Sequence, residues 1–338
     1  MKNMRLKYLI QPVLFVSLIA TSFSLQAQDL DYKFIKKIPL EGNGKWDYIK
    51  MDGEAERLFV SHFDQVHVID LITEKEVGAI KNLKDAHGIA FARAFGLGYI
   101  TNSLNNTVTV FDYKTLKTVK TIAISGKKPD AIIFETFTKQ IIVFCGDSKN
   151  AIIIDVTKNE ETGKIDLGGA PEFAVFDGKG IIYNNLEDKN EVVAIDITKK
   201  VVVKRFALTP NLAPTGIAID HATGRLFVAC KESQTLAVLK TDNGEIVANL
   251  PLGKGTDAVI FEATKKIVVA SNADGTATLI KQKDADHYEV IQTLKTSVGS
   301  KTMVHRASTR KLYMSAANKR GNVIQPGTFG VSVYGPVK

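Results

Sequence analysis

Apolar residues along this chain come in short runs rich in Val, Ile and Phe, separated by turn chemistry such as "HATGR", "NADGT" and "KTDNG". Runs this short and this rich in β-branched and aromatic residues predict strands and exclude a helical solenoid. The runs also repeat. Six segments resemble one another, among them "HGIAFARAFGLGYITNSLNNTVTVFDYKTLKTVKTI", "PDAIIFETFTKQIIVFCGDSKNAIIIDVTKNEETGKI" and "PTGIAIDHATGRLFVACKESQTLAVLKTDNGEIVANL". A seventh begins at "KTMVHRASTRKLYMSAA" and finishes with "FGVSVYG". Aligning the first strands puts Asp47, His87, Asp130, Glu172, Thr215, Asp257 and Lys301 at one equivalent position, in steps of 40, 43, 42, 43, 42 and 44 residues.

A period near 42 residues with four short strands per repeat is the pattern of a propeller blade. The fold expected is all-β, a seven-bladed propeller. The last repeat has first (302–305), second (311–315) and third (329–334) strands, but the chain ends before a fourth. The segment "YKFIKKIPL" (32–40) reads like the fourth strands of the other repeats, so the N-terminal strand is expected to close blade 7 and to remove the exposed edges of an open ring. Arg306 stands where Asp52, Asp177 and Asp220 occupy the turn after their first strands, which predicts an atypical turn there.

The segments "RLFV", "VHVID", "TVTVFD", "PTGIAIDHATGRLFVAC" and "DAVIFE" resemble the YVTN-repeat, YncE-like seven-bladed propellers of bacterial envelopes, over essentially all of residues 32–335. The resemblance implies that fold and an envelope location; it implies no reaction, since many propellers share these strand and turn signals.

The N-terminus agrees with export. "MKNMRLK" carries Lys2, Arg5 and Lys7, an apolar stretch follows, and "LQAQ" ends it, which reads as a signal peptide over residues 1–27 with a single propeller domain over 28–338. A periplasmic or secreted protein is expected, with no membrane span after cleavage. The whole chain has 44 basic and 36 acidic residues. Removing residues 1–27 takes away three basic and no acidic residues, leaving 41 minus 36, or +5. The lysines lie singly in turns with acids interleaved, so nucleic acid is not an expected partner. A monomer is expected, binding a small polar molecule or an envelope protein.

In a propeller the first strand of each blade is innermost. The seven aligned residues should therefore form an inner ring at one mouth of the central channel. A second ring is expected at the ends of the second strands: His62, Asn102, Cys145, Asn185, Cys230, Asn272 and Asn318. Two readings stand for the inner ring. Polar residues at strand starts lock blades together through backbone bonds, whereas four acids so close together raise one another's pKa or recruit a cation. On the second reading Asp47, Asp130, Glu172 and Asp257 are candidate ligands for a divalent cation (Ca, Mg, Mn or Zn). His87 and Asp130 are then candidate catalytic groups, with His87 as base. Trp46, Asp47, His62, His87, Asn102, Asp130, Glu172, Asn185, Asp257, Asn272 and Lys301 are the candidate ligand-binding set. Trp46 suits either stacking on a ligand or capping the junction of blades 1 and 7. His67, His221, His287 and His305 read as surface or packing residues.

Cys145 and Cys230 fall at matching positions two blades apart, too far for a bridge, and are expected as free buried thiols. No haem-attachment, zinc-protease, nucleophile-elbow or phosphate-loop motif occurs; "GSKT" (299–302) lacks the upstream glycine. The leading expectation is a binding propeller. The alternative is a metal-dependent lactonase, hydrolase or lyase acting on a small sugar-like substrate at the same mouth.

Overall fold

Seven four-stranded antiparallel sheets follow one another along the chain in the computed structural model, which describes residues 31–321 and 323–336. The signal peptide expected over residues 1–27 lies outside the described residues. Blade 1 runs Trp46–Asp52, Arg57–His62, Gln65–Asp70 and Lys75–Lys81, and blades 2 to 6 repeat that order up to Tyr288–Lys295. Blade 7 consists of Met303–Arg306, Lys311–Ala316, Gly330–Pro336 and, outermost, the N-terminal strand Tyr32–Pro39. That strand pairs antiparallel with Gly330–Pro336 from Tyr32↔Pro336 to Pro39↔Gly330, the closure expected from its sequence. No α-helix occurs among the described residues, and none of their helices is long and apolar enough to cross a membrane.

The apolar pattern follows from where each strand sits. The second and third strands of a blade are covered on both faces by neighbouring blades, so they read as continuous apolar runs. Val108 and Val110 of blade 2 pack with Ile141 and Val143 of blade 3, while Phe111, pointing the other way, packs with Phe59 and Val68 of blade 1. Each such side chain contributes about 1.5–3 kcal/mol by leaving water. Fourth strands are outermost and alternate: Glu160–Asp166 buries Ile165 and exposes its charged neighbours.

The Asp that ends most third strands organises the turn after it. One Oδ1 of Asp70, Asp112, Asp155 or Asp196 accepts the amides two and three residues on, as in Thr115 N to Asp112 at 2.7 Å. These satisfied amides are why "VID" and "VFD" recur. The atypical turn expected at Arg306 is a clasp. Its guanidinium meets Glu56 at 2.7 Å and donates to the Leu71 carbonyl at 2.9 Å, tying blade 7 to blade 1. Cys145 and Cys230 are free and buried, as expected, and burial pushes both thiols up to about 12.

Candidate functional site

A β-bulge at the start of each first strand builds the site. In blades 1 to 6 the pairing with the second strand slips by one residue, between Trp46 and Ile49, Ala86 and Ile89, Pro129 and Ile132, Pro171 and Ala174, Pro214 and Ile217, and Thr256 and Val259. Two residues on the first strand thus oppose one on the second, which re-aims a side chain. The first of the two is the inner-ring residue in every case. In blades 2 and 5 the second is Gly88 or Gly216, where a Cβ would lie 2.5 Å from the Asp130 carbonyl oxygen or 2.6 Å from the Val259 nitrogen of the next blade. Only glycine permits that approach.

Three of the inner-ring residues meet directly. The Nδ1 of His87 bonds Asp47 Oδ2 and lies 3.2 Å from Asp130 Oδ1, while its Nε2 lies 3.4 Å from Asp85 Oδ2. One atom each from Asp47, His87 and Asp130 fall within 4.8 Å of one another. The three side chains are about one-fifth exposed. Nδ1 carries a single proton, which goes to Asp47. Asp130 Oδ1 is buried beside it without a hydrogen bond.

The remaining ring acids are within electrostatic reach. Burial first, then the charges of Asp130, Glu187, Asp257 and Asp47, push Glu172 up to about 9. Burial and the charge of Asp47 push Asp257 up to about 6, Lys301 working against them. Burial also raises Asp47 above the usual carboxylate range, opposed by the bond from His87. Burial would depress His87, but the two carboxylates against it, Asp130 and Asp47, outweigh it and push the imidazole up to about 11. Lys301 is raised in the same way: the charges of Asp257, Asp47, Asp130 and Glu172 exceed the effect of burial. At neutral pH the hub therefore holds an imidazolium and an ammonium against ionised Asp257, with Glu172 protonated. His87 in that state has no lone pair, and the base role expected of it requires that it first lose its proton.

Thr215 does not join the hub. Its hydroxyl is buried and donates to the Thr256 carbonyl of blade 6 at 3.0 Å. The carbonyls of other ring residues are locked similarly: Thr101 donates to Asp130 O at 2.7 Å, Asn185 to Thr215 O at 2.7 Å and Gly216 O at 3.1 Å, and Ser271 to Lys301 O. Thr302 closes the circle by donating to Asp47 O. These residues sit opposite or beside the bulges; the locking reading of the inner ring covers Thr215, while Thr101, Asn185, Ser271 and Thr302 carry no such expectation from the sequence. Asn185→Ala leaves two buried carbonyls without their donor and is expected to lower the unfolding free energy by about 1–3 kcal/mol in urea titrations. A loss too small to measure would mean that the lock contributes nothing.

The second ring expected at this mouth is not there. His62, Asn102, Cys145, Cys230 and Asn272 pair with the residue before each bulge, and all are buried inside the blades. Asn102 donates to Thr107 and Thr109, and Asn272 to Thr276 and Thr278, fastening second strands to third. In blade 4 the equivalent position is Leu186, paired with Pro171, so Asn185 was placed one residue out. Asn318 lies two residues beyond the strand end at Ala316 and is exposed.

His62 bonds His67 at 3.2 Å, His67 in turn meets Glu76 at 2.7 Å, and His62 lies against Phe329, 3.9 Å between ring centres with the rings tilted by 32°. Burial and the charge of His67 pull His62 down to about 4. Trp46 is buried at the junction of blades 1 and 7, against Phe329 and beneath Lys319. Neither reaches the hub. His305 accepts from or donates to Tyr32 OH at 3.2 Å, and His287 is exposed.

No family model matches the chain, and no curated protein matches it. Solved structures do: 1772 chains match, a number that ties the architecture to no single activity. One of them, titled Kuenenia stuttgartiensis Hydrazine Synthase, is 17% identical with a TM-score of 0.52, covering 72% of this chain and 97% of that chain. At that identity the likeness shows the fold alone, and the fold of this chain is a seven-bladed β-propeller.

Proposed function

We propose that the protein is a binding propeller of the bacterial envelope, exported and monomeric, whose hub takes a divalent cation, alone or carried by a small oxygenated molecule. The envelope location draws on the resemblance of the repeats to YVTN-repeat, YncE-like propellers and on the N-terminal sequence. The observation that carries the binding reading is the contest for one proton: two carboxylates face His87 Nδ1, and Asp130 Oδ1 is left buried with no donor. A buried carboxylate oxygen without a partner is costly. A cation between Asp47, Asp130 and His87 satisfies it, and displaces the proton from the imidazole. Two carboxylates and one imidazole suit Mn²⁺ or Zn²⁺ better than Ca²⁺.

Because the cation and the proton compete, affinity rises with pH. Thermal unfolding of the full chain with Ca²⁺, Mg²⁺, Mn²⁺ and Zn²⁺ at pH 6 and pH 8 tests this. An ion at a hundred times its Kd stabilises by about 2.7 kcal/mol, the effect is larger at pH 8, and Asp130→Asn abolishes it. No shift with any of the four ions would sink the proposal.

One observation favours the enzymatic alternative. Glu172 keeps its proton up to about pH 9 beside the cluster, a state suited to donating to a leaving oxygen. Ion-dependent hydrolysis of a sugar lactone, lost in Glu172→Gln with ion binding intact, would establish it.

A further inference from the structure

The channel changes character beyond the hub. Three residues along each first strand from the acidic ring, Lys50 shares its level with Ala90, Ile133, Val175, Ala218, Ile260 and Val304. Six aliphatic side chains and one ammonium make up that level. Between the two levels Tyr48 of blade 1 reaches Phe173 of blade 4, on the opposite side of the ring, with 4.8 Å between ring centres. This aromatic bar crosses the channel and separates the acids from Lys50.

Beyond the bar are two cavities of about 390 and 450 Å³, and Lys50 lines both. Phe91, Phe134 and Phe176 wall the first and Phe261 the second. Thr136 and His221 also line the first, and Glu262, Thr264 and His305 the second; largely apolar walls carrying a few polar groups, at volumes of this size, are those of small-molecule sites. Lys50 has no carboxylate within 4.0 Å among the described residues. Glu262 is the one acid bordering these cavities, and its two oxygens accept the Thr264 and Lys265 amides. The Lys50 side chain remains open to the channel space although protein surrounds it, and desolvation alone pulls its pKa down, with no anion raising it. The ammonium thus faces the channel space with no counter-ion, among largely aliphatic and aromatic walls. A carboxylate on an apolar body would pair it and cover the walls at once.

We propose that this vestibule is a second binding site, for small carboxylates with an aliphatic or aromatic body, whose anionic group pairs with Lys50. The site is independent of the cation hub on the other side of the bar.

Calorimetric titration of the full chain with octanoate, and with octanol as its neutral counterpart, tests it. Octanoate is expected to bind at least tenfold more weakly to Lys50→Met, which keeps the side-chain length and loses the charge, while octanol binds the variant at least as well as the unaltered protein. Lys50→Arg keeps octanoate binding, showing that loss in the methionine variant is loss of charge. Asp130→Asn, which disables the hub, leaves octanoate affinity unchanged. Absence of octanoate binding to the unaltered protein, equal affinity in Lys50→Met, or loss of binding in Asp130→Asn would each overturn the assignment.

Discussion

Replacing His87 with leucine is expected to lower the unfolding free energy by about 3–5 kcal/mol near pH 7.5, the range for stripping a buried charge of its partner. Asp47 and Asp130 both face the imidazole, and without it they confront each other across the start of the blade 2 first strand that lies between theirs. Lys301 makes no ion pair within 4.0 Å among the described residues, so it cannot replace the lost contact. Urea titrations at pH 7.5 and pH 4 separate charge from packing. Burial already raises Asp47, so lowering the pH to 4 favours its neutral form, relieves the repulsion and shrinks the deficit. An equal deficit at both pH values would mean that the ring matters as volume, and that the electrostatic account of the hub is wrong.

The second large effect is the direction of the pH dependence. His87 is raised to about 11, so while the carboxylates facing it stay ionised its contribution is complete below the ordinary imidazole value near 6.5, and it is lost as pH climbs towards 11. Glu172 is raised from 4.5 to about 9, so the folded state holds a proton that the unfolded chain releases above about 4.5, and stability falls between those values. Asp257, raised from 3.8 to about 6, adds a smaller loss in the same sense over that range. All three slopes agree, and the urea midpoint of the cation-free protein is expected to fall steadily from pH 5 to pH 9.

Each tenfold change in a proton's affinity is worth about 1.4 kcal/mol, so half of the Glu172 displacement amounts to about 3 kcal/mol. Glu172→Gln should therefore match the unaltered protein at pH 4 and exceed its stability at pH 8.5. A midpoint that rises with pH, or a glutamine variant no more stable at pH 8.5, would show that the acids are solvated and independent.

Much of this was legible along the chain because a propeller writes its geometry into its period. Second and third strands are buried on both faces, so runs such as "QIIVFC" and "NAIIID" announce themselves, and the short seventh repeat calls for the N-terminal strand that pairs with Gly330–Pro336. The inner ring was legible for the same reason. Residues some forty positions apart meet because each begins a first strand, which brings Asp47, His87 and Asp130 together.

The second ring failed where backbone pairing, not residue type, sets direction. Asn102 and Asn272 stand opposite the residue before a bulge and turn into the blade, where threonines of the third strand receive them. Asp85 reaches His87 from the connection before blade 2, at a position where other repeats carry Lys45, Lys128 or Ala170, so alignment offers no signal for it. Tyr48 and Phe173 are ordinary residues in their strands, and only closure of the ring sets them face to face.

By itself, then, the order of residues determined seven blades, their closure and the convergence of an acidic ring, since each follows from periodicity and from burial of apolar runs. Tertiary structure alone decided which polar side chains enter the channel, that His87 is held as a cation, and that an aromatic bar divides the acids from Lys50. The reason is physical: a one-residue slip in strand pairing swings a side chain from core to channel, and the charge state of a buried group depends on neighbours that the chain supplies from distant repeats.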